Sequence, residues 1–325
     1  MLTTVVGNYP KIPDRPRPPK LRSAITRLDR GEIGADELRR VEDEVTVEVI
    51  GEQAQAGLDI ITDGQIRWED DQTYFARRMD GFSISGLIRY FDTNTYYRQP
   101  VVEGPVRWSA SGGVAGDYEF AAVQSPVPVK ATVTGPYTLA ALSANHHYGS
   151  LRELVLALAT ELRNEVLALE RAGAPIIQVN EPAILQQKED FPLFRQALKA
   201  MMEGVRTETH LYTWFGDIGG LYPQILELPF AAIGLDFVKG PANWNIIAGQ
   251  PFTKKLGLGI IDARNTMLES VDEIVGAVRR ASAIVSPEAI YVNPSCGLEY
   301  VPREVAQAKL TRMVEGVRRA QEVMA

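Results

Sequence analysis

The chain has 325 residues, 45% hydrophobic and 23% charged, with a formal net charge of −7. This is the composition of an ordinary folded protein with enough apolar side chains for one large core. An acidic chain without a Lys/Arg run is poorly suited to a phosphate backbone, so nucleic acid is not an expected partner. No apolar run approaches the roughly 18 residues that cross a bilayer, and Met1 to Gly7 lacks the pattern of a signal peptide. One cysteine, Cys296, cannot form an internal disulfide, which points to the cytoplasm.

In chain order, Thr3 to Val6 reads as a short buried strand. A proline-rich stretch, Ile12 to Lys20, suits neither helix nor central strand. Leu21 to Arg30 is helical up to Gly31, and Asp36 is the expected N-cap of a long helix, Glu37 to Ala56, stopped by Gly57. Asp59 to Thr62 is a short apolar strand, and Asp70 to Met79 is read as helix. Residues 83–127, aromatic and rich in turn residues up to Ser111-Gly112-Gly113, form an irregular β-rich insertion. Val129 to Thr134 is again a strand, and Leu151 to Ala172 has helical spacing at Leu154, Leu158, Leu162, Val166 and Leu169.

From there strands and helices alternate. Strands are expected at Ile176 to Val179, Thr207 to Tyr212, Ala232 to Asp236, Leu256 to Ile261 and Ala289 to Asn293. Helices are expected at Phe191 to Glu203, Gly220 to Leu226, near Trp244, Ser270 to Ala283 and Arg303 to Met324. Eight short apolar strands with helical crossovers predict an α/β fold, a (β/α)8 TIM barrel, as one domain over residues 1–325. An open doubly wound sheet is disfavoured because no Gly-x-Gly-x-x-Gly or phosphate loop is present.

Polar residues follow these strands almost immediately. They are Asn8, Asp63 and Gln65, Thr134, Asn180 and Glu181, His210 and Tyr212, Asp236, Asp262 and Arg264, Asn293 and Cys296. In a barrel such strand ends share the face on which sites are built. His210, Asp236 and Cys296 are residue types that bind Zn2+, and three protein ligands would leave a fourth position open. Equally, Cys296 can be a buried small hydrophobe and His210 a hydrogen-bonded interior residue. Asn180-Glu181-Pro182 reads as a helix start, with Asn180 as N-cap and Pro182 at N1, and Asn180 or Glu181 can also hold a polar substrate group; both can be true together. Asp63-Gly64-Gln65 is a turn or a substrate contact. Arg264 can pair with Asp262 or bind a carboxylate with its planar fork. Tyr96-Tyr97-Arg98 is a surface loop or a lid.

The strand-end motifs resemble those of the cobalamin-independent methionine synthase superfamily, in particular its short single-barrel core type. The likeness runs through Val6-Gly7-Asn8-Tyr9-Pro10, Arg30-Gly31-Glu32-Ile33, Asp63-Gly64-Gln65, Tyr96-Tyr97-Arg98-Gln99-Pro100, Thr134-Gly135-Pro136, Gln178 to Ala183, His210, Leu235-Asp236-Phe237, Ile261 to Arg264 and Asn293 to Leu298. It implies a TIM barrel that transfers a methyl group to a thiol, homocysteine, giving methionine. It also implies Zn2+ on His210, Asp236 and Cys296, catalytic roles for Asp262, Arg264 and Tyr212, and substrate contacts from Asn8, Gln65, Thr134, Asn180 and Glu181. The donor would be a methyl-folate or a methyl-corrinoid, the latter on a corrinoid protein as partner. A related zinc barrel acting on another thiol, or a metal-free partner subunit, are the alternatives. Four positions depart from the family pattern: Tyr212 stands where it has a zinc-binding Cys, Asp236 where it has Glu, Asn180 where it has Asp, and Gln65 where it has an acid. Leu142 replaces a tryptophan of the folate-using members. Tyr212-Thr213-Trp214-Phe215-Gly216-Asp217 is more similar to the amino-terminal half of the two-barrel enzymes, a duplicated barrel thought to lack the catalytic zinc.

Overall fold

The computed structural model of the protein describes residues 1–13, 16–109 and 113–324. In chain order the regular elements begin with β1 (Leu2–Thr3), α1 (Lys20–Asp29), α2 (Ala35–Gln55), α3 (Thr73–Ala76), β2 (Met79–Arg89), β3 (Tyr96–Trp108), α4 (Val114–Gln124) and β4 (Ala131–Thr134). Next come α5 (Pro136–Ala141), β5 (Ala144–Asn145), α6 (Leu151–Arg171), β6 (Ile176–Asn180), α7 (Phe191–Met201) and β7 (Glu208–Tyr212). The chain ends with β8 (Ala232–Asp236), α8 (Asn243–Ala248), β9 (Lys255–Ile261), α9 (Val271–Ser282), β10 (Ile290–Pro294) and α10 (Arg303–Met324). The strand–helix alternation read from the sequence is present. By contacts the chain divides into two compact units, residues 1–67, 120–129 and 257–325, and residues 68–119 and 130–256.

In the first unit β1 pairs parallel with β10, which neighbours β9. The strand expected at Asp59 to Thr62 survives only as a parallel bridge, Ile61 to Val129. Its backbone is held by a side chain instead: Gln53 of α2 donates to the Thr62 carbonyl and accepts from the Thr62 amide. The N-cap of α2 is Gly34, not Asp36, which lies inside the first turn and there complements the helix dipole. Helix α9 starts with a capping box, in which Ser270 accepts from the Glu273 amide and Glu273 accepts from the Ser270 amide. Ser270→Ala is expected to cost about 1 kcal/mol, read as a lower urea midpoint with an unchanged slope.

The second unit carries the strand order β8, β7, β6, β4, every pairing parallel and in continuous register. Helix α6 turns Leu154, Leu158, Leu162, Val166 and Leu169 into the core, each fully buried, as its spacing predicts. Two expectations change here. Asp70 to Met79 is not one helix. The Asp70 carboxylate accepts from the Gln72 and Thr73 amides and starts only the single turn of α3, after which Met79 opens β2. The insertion is also more regular than its composition suggested, since β2 and β3 form a long antiparallel hairpin with register shifts near Gly81 and between Ile84 and Leu87. Helix α4 follows this hairpin where irregular strands were expected. Of the turn read at Ser111-Gly112-Gly113, Ser111 and Gly112 lie outside the described residues. Tyr96, Tyr97 and Arg98 belong to β3 rather than to a loop.

Candidate functional site

In the first unit the ends of β1, β9 and β10 are tied together by backbone. The Leu298 amide donates to the Asn8 carbonyl, the Tyr9 amide to the Gly64 carbonyl, and the Ser295 amide to the Ile261 carbonyl, at 2.9, 3.0 and 2.8 Å. Asp63-Gly64-Gln65 is a tight turn: the Gln65 amide donates to the Asp63 carboxylate at 3.0 Å. Gln65 has a left-handed backbone, φ 52°, unusual for a residue with a side chain. Its buried carboxamide lies against Gly7, where a Cβ would stand 3.1 Å away. Cys296 is buried, with Sγ 3.5 Å from the Gly297 carbonyl oxygen. Asp262 does not bind the Arg264 guanidinium; its carboxylate accepts from the Arg264 amide at 2.9 Å. The Arg264 guanidinium instead lies 5.9 Å from the Tyr300 ring centroid. Asn8, Gln65 and the Cys296 segment therefore come together, as do Asp262 and Arg264.

In the second unit successive strand ends are laced in the same way. The Gly135 amide donates to the Asn180 carbonyl, the Glu181 amide to the Tyr212 carbonyl, and the Thr213 amide to the Gly234 carbonyl. Thr134 is buried and donates its hydroxyl to the Asp71 carbonyl. Glu181 is fully buried at the start of α5, where it accepts from the Tyr137 and Thr138 amides at 3.0 and 2.7 Å. Burial pushes its carboxyl up to about 7 against those two amides and the Thr138 hydroxyl, which favour the anion. Glu181 thus holds the start of α5, a different helix from the one that follows it in the chain at Pro182.

Interior to these ends lies a polar cluster. Lys130, fully buried ahead of β4, donates to Gln178 at 2.6 Å, and Gln178 donates to Asn180 at 2.7 Å. The Lys130 nitrogen stands 5.0 Å from the Tyr212 ring centroid, and the Tyr212 ring stacks on His210 with centroids 6.3 Å apart. His210 Nε2 meets Glu208 at 2.8 Å, and Glu208 takes two bonds from Lys255. Burial pushes the His210 imidazole down to about 4; the Glu208 contact opposes this and the Lys130 charge adds to it, so the ring is neutral at pH 7. Burial alone lowers the Lys130 amine to about 7. The strand period explains the geometry, because Glu208, His210 and Tyr212 are two apart and share one face of β7. Lys130 and Lys255 were not singled out from the sequence, and Gln178 and Glu208 stood only inside longer motifs with no role of their own. The legible signal was Lys130, a charge at the opening of an otherwise apolar buried strand.

A family model described as the cobalamin-independent synthase catalytic domain matches residues 1–319. The chain belongs to this family. It is 32% identical to a methionine synthase of Sulfolobus acidocaldarius over 318 residues, 97% of this chain and 90% of the relative. It is 34% identical to a methionine synthase of Sulfurisphaera tokodaii over 324 residues, 98% of this chain and 92% of the relative. Among solved structures, a B12-independent methionine synthase from a Shewanella species aligns with a TM-score of 0.86 at 22% identity, over 100% of this chain and 99% of that one. That likeness shows the fold, an α/β TIM barrel with a β-rich insertion after the second strand. No helix among the described residues is long and apolar enough to cross a membrane.

The family implies zinc, and the expected ligands can be judged on their contacts. The carboxylate on His210 decides nothing, because a metal-bound histidine commonly uses one to fix its tautomer. Asp236 is more telling. Its carboxylate accepts from the amides of Phe215, Val238 and Lys239 at 3.0, 2.9 and 2.8 Å, which uses three of about four acceptor positions. Tyr212 offers a phenol where zinc sites use thiolate, imidazole or carboxylate. Its ring fills the space above Gly234, where a Cβ would overlap it. Among the described residues no three His, Cys, Asp or Glu side chains are grouped to hold a metal. The donor set as placed does not fit a zinc ion.

Proposed function

We propose that this chain makes methionine by transferring a methyl group to the thiol of homocysteine. The reading is carried by the match to methionine synthases, which spans 97–98% of this chain and 90–92% of those relatives. A methyl-folate is the proposed donor. A corrinoid donor or corrinoid protein partner is not proposed, since the family is described as cobalamin-independent. In the transfer the sulfur attacks as thiolate, because the thiol is a weak nucleophile. The sulfur–methyl bond forms as the bond from methyl to the donor nitrogen breaks, and that nitrogen keeps the electron pair and takes up a proton.

Roles for this chain's residues follow unit by unit. In the second unit Asn180, held by Gln178 at the end of β6, is the group proposed to orient a polar part of the acceptor. In the first, Arg264 is the proposed hold on a carboxylate, with Asp262 fixing its backbone. Thr134 and Glu181 hold the backbone around them through their own hydrogen bonds. The test is methionine formation from homocysteine, with methyl-folate and methylcobalamin supplied in parallel. Product with methyl-folate alone is expected; none with either donor, from protein of native thermal stability, overturns the reading. Asn180→Ala is expected to raise KM for homocysteine by about tenfold while changing kcat less, the mark of a lost binding contact.

A further inference from the structure

We infer that this chain carries no zinc at its family's strand-end position, and that the amino group of Lys130, packed on Tyr212, helps keep a metal from that interior. The inference concerns the site named under the proposed methyl transfer and rests on that reading only for its location. Four observations within the second unit converge. Lys130 is buried and gives its hydrogen bond to the neutral Gln178 carboxamide, so a divalent cation nearby would add like charge to a buried amine. The Tyr212 ring on which Lys130 packs also stacks on His210, the first expected ligand. The second, Asp236, spends its carboxylate on three amides of the loops after β7 and β8. At the position of the family's zinc-binding Cys, the Tyr212 ring packs against the Lys130 amine and stacks on the His210 ring, and Gly234 supplies the room for it. Each residue has a protein partner, and together they replace metal ligation with a hydrogen-bonded and aromatic packing. Any methyl transfer by this chain then proceeds without metal activation of the thiol.

The experiment is metal analysis of protein purified without chelator, incubated with excess zinc and freed of unbound metal by gel filtration. Less than a tenth of a zinc per chain is expected; close to one, lost in His210→Ala, overturns the inference. A second arm uses Tyr212→Cys combined with Lys130→Met, which restores the His-x-Cys pair and removes the buried amine. This double variant is expected to retain close to one zinc and, with cobalt(II) as probe, to show thiolate-to-cobalt absorption. If it is folded by circular dichroism yet takes up neither metal, Lys130 and Tyr212 are not what excludes the ion. Metal content is read without turnover, so this inference and the proposed activity fail separately. Methyl transfer that is observed and survives a strong zinc chelator supports both.

Discussion

Gly135→Ala is expected to destabilise the protein by about 3 to 5 kcal/mol, the range for a buried charge deprived of its partners. Backbone strain is not the cause, since Gly135 has φ −75° and ψ 159°, conformations open to alanine. The obstacle is space: a Cβ on Gly135 would overlap the carboxyl carbon and Oε1 of Glu181. Glu181 must then leave the amides of Tyr137 and Thr138, and α5 loses the acceptor that satisfies two of its unpaired N–H groups. Neither side can be compensated by water, because Glu181, Tyr137 and Thr138 are all buried. The measurement is urea unfolding of both proteins. Pairing the substitution with Glu181→Ala gives a sharper check. If the clash is the mechanism, Gly135→Ala costs much less in the Glu181→Ala background, and simple additivity counts against it.

Lys130→Met is expected to stabilise the protein, most strongly at acidic and neutral pH. The sign follows from the Lys130 amine, which burial lowers from 10.5 to about 7. Below pH 7 the amine is charged in both folded and unfolded chains, and the folded chain bears the full desolvation penalty. Between pH 7 and 10.5 the unfolded chain still holds the proton while the folded chain has released it, so wild-type stability rises with pH across that window. Above 10.5 the penalty is gone. A tenfold change in acidity is worth about 1.4 kcal/mol, so the penalty is roughly 5 kcal/mol. Losing the Gln178 hydrogen bond takes back about 1 kcal/mol, for a net gain near pH 6 of about 4 kcal/mol. Unfolding midpoints of the two proteins from pH 6 to 10 should converge as pH rises. A gain that is constant with pH would show that Lys130 is not the buried charge its surroundings imply. Its packing on Tyr212 sets Lys130 beside the strand-end cluster.

The sequence by itself determined the alternation of strands and helices, because that alternation is written in local patterns. Strand β8 at Ala232–Asp236 and helix α10 at Arg303–Met324 fall where apolar periodicity and capping residues place them. The same locality explains why the strand-end residues could be named, since polarity that follows a short apolar run is visible one residue at a time. Where local signals conflicted, tertiary contacts decided. Asp59 to Thr62 has the composition of a strand but keeps a single bridge, because Gln53 takes the backbone groups of Thr62 that a neighbouring strand would have used. The helical spacing after Asp70 yields to the hairpin β2–β3, whose pairing offers Met79 a partner in Trp108 that no local helix could match. The long-range partners of a polar side chain leave no trace in spacing. His210 and Asp236 were readable as residue types that bind metal. Only the folded chain shows that one faces Glu208, the other gathers three amides, and a buried lysine lies over the ring between. Residue type is a property of the sequence, whereas ligand competence depends on which acceptors and charges packing has already paired.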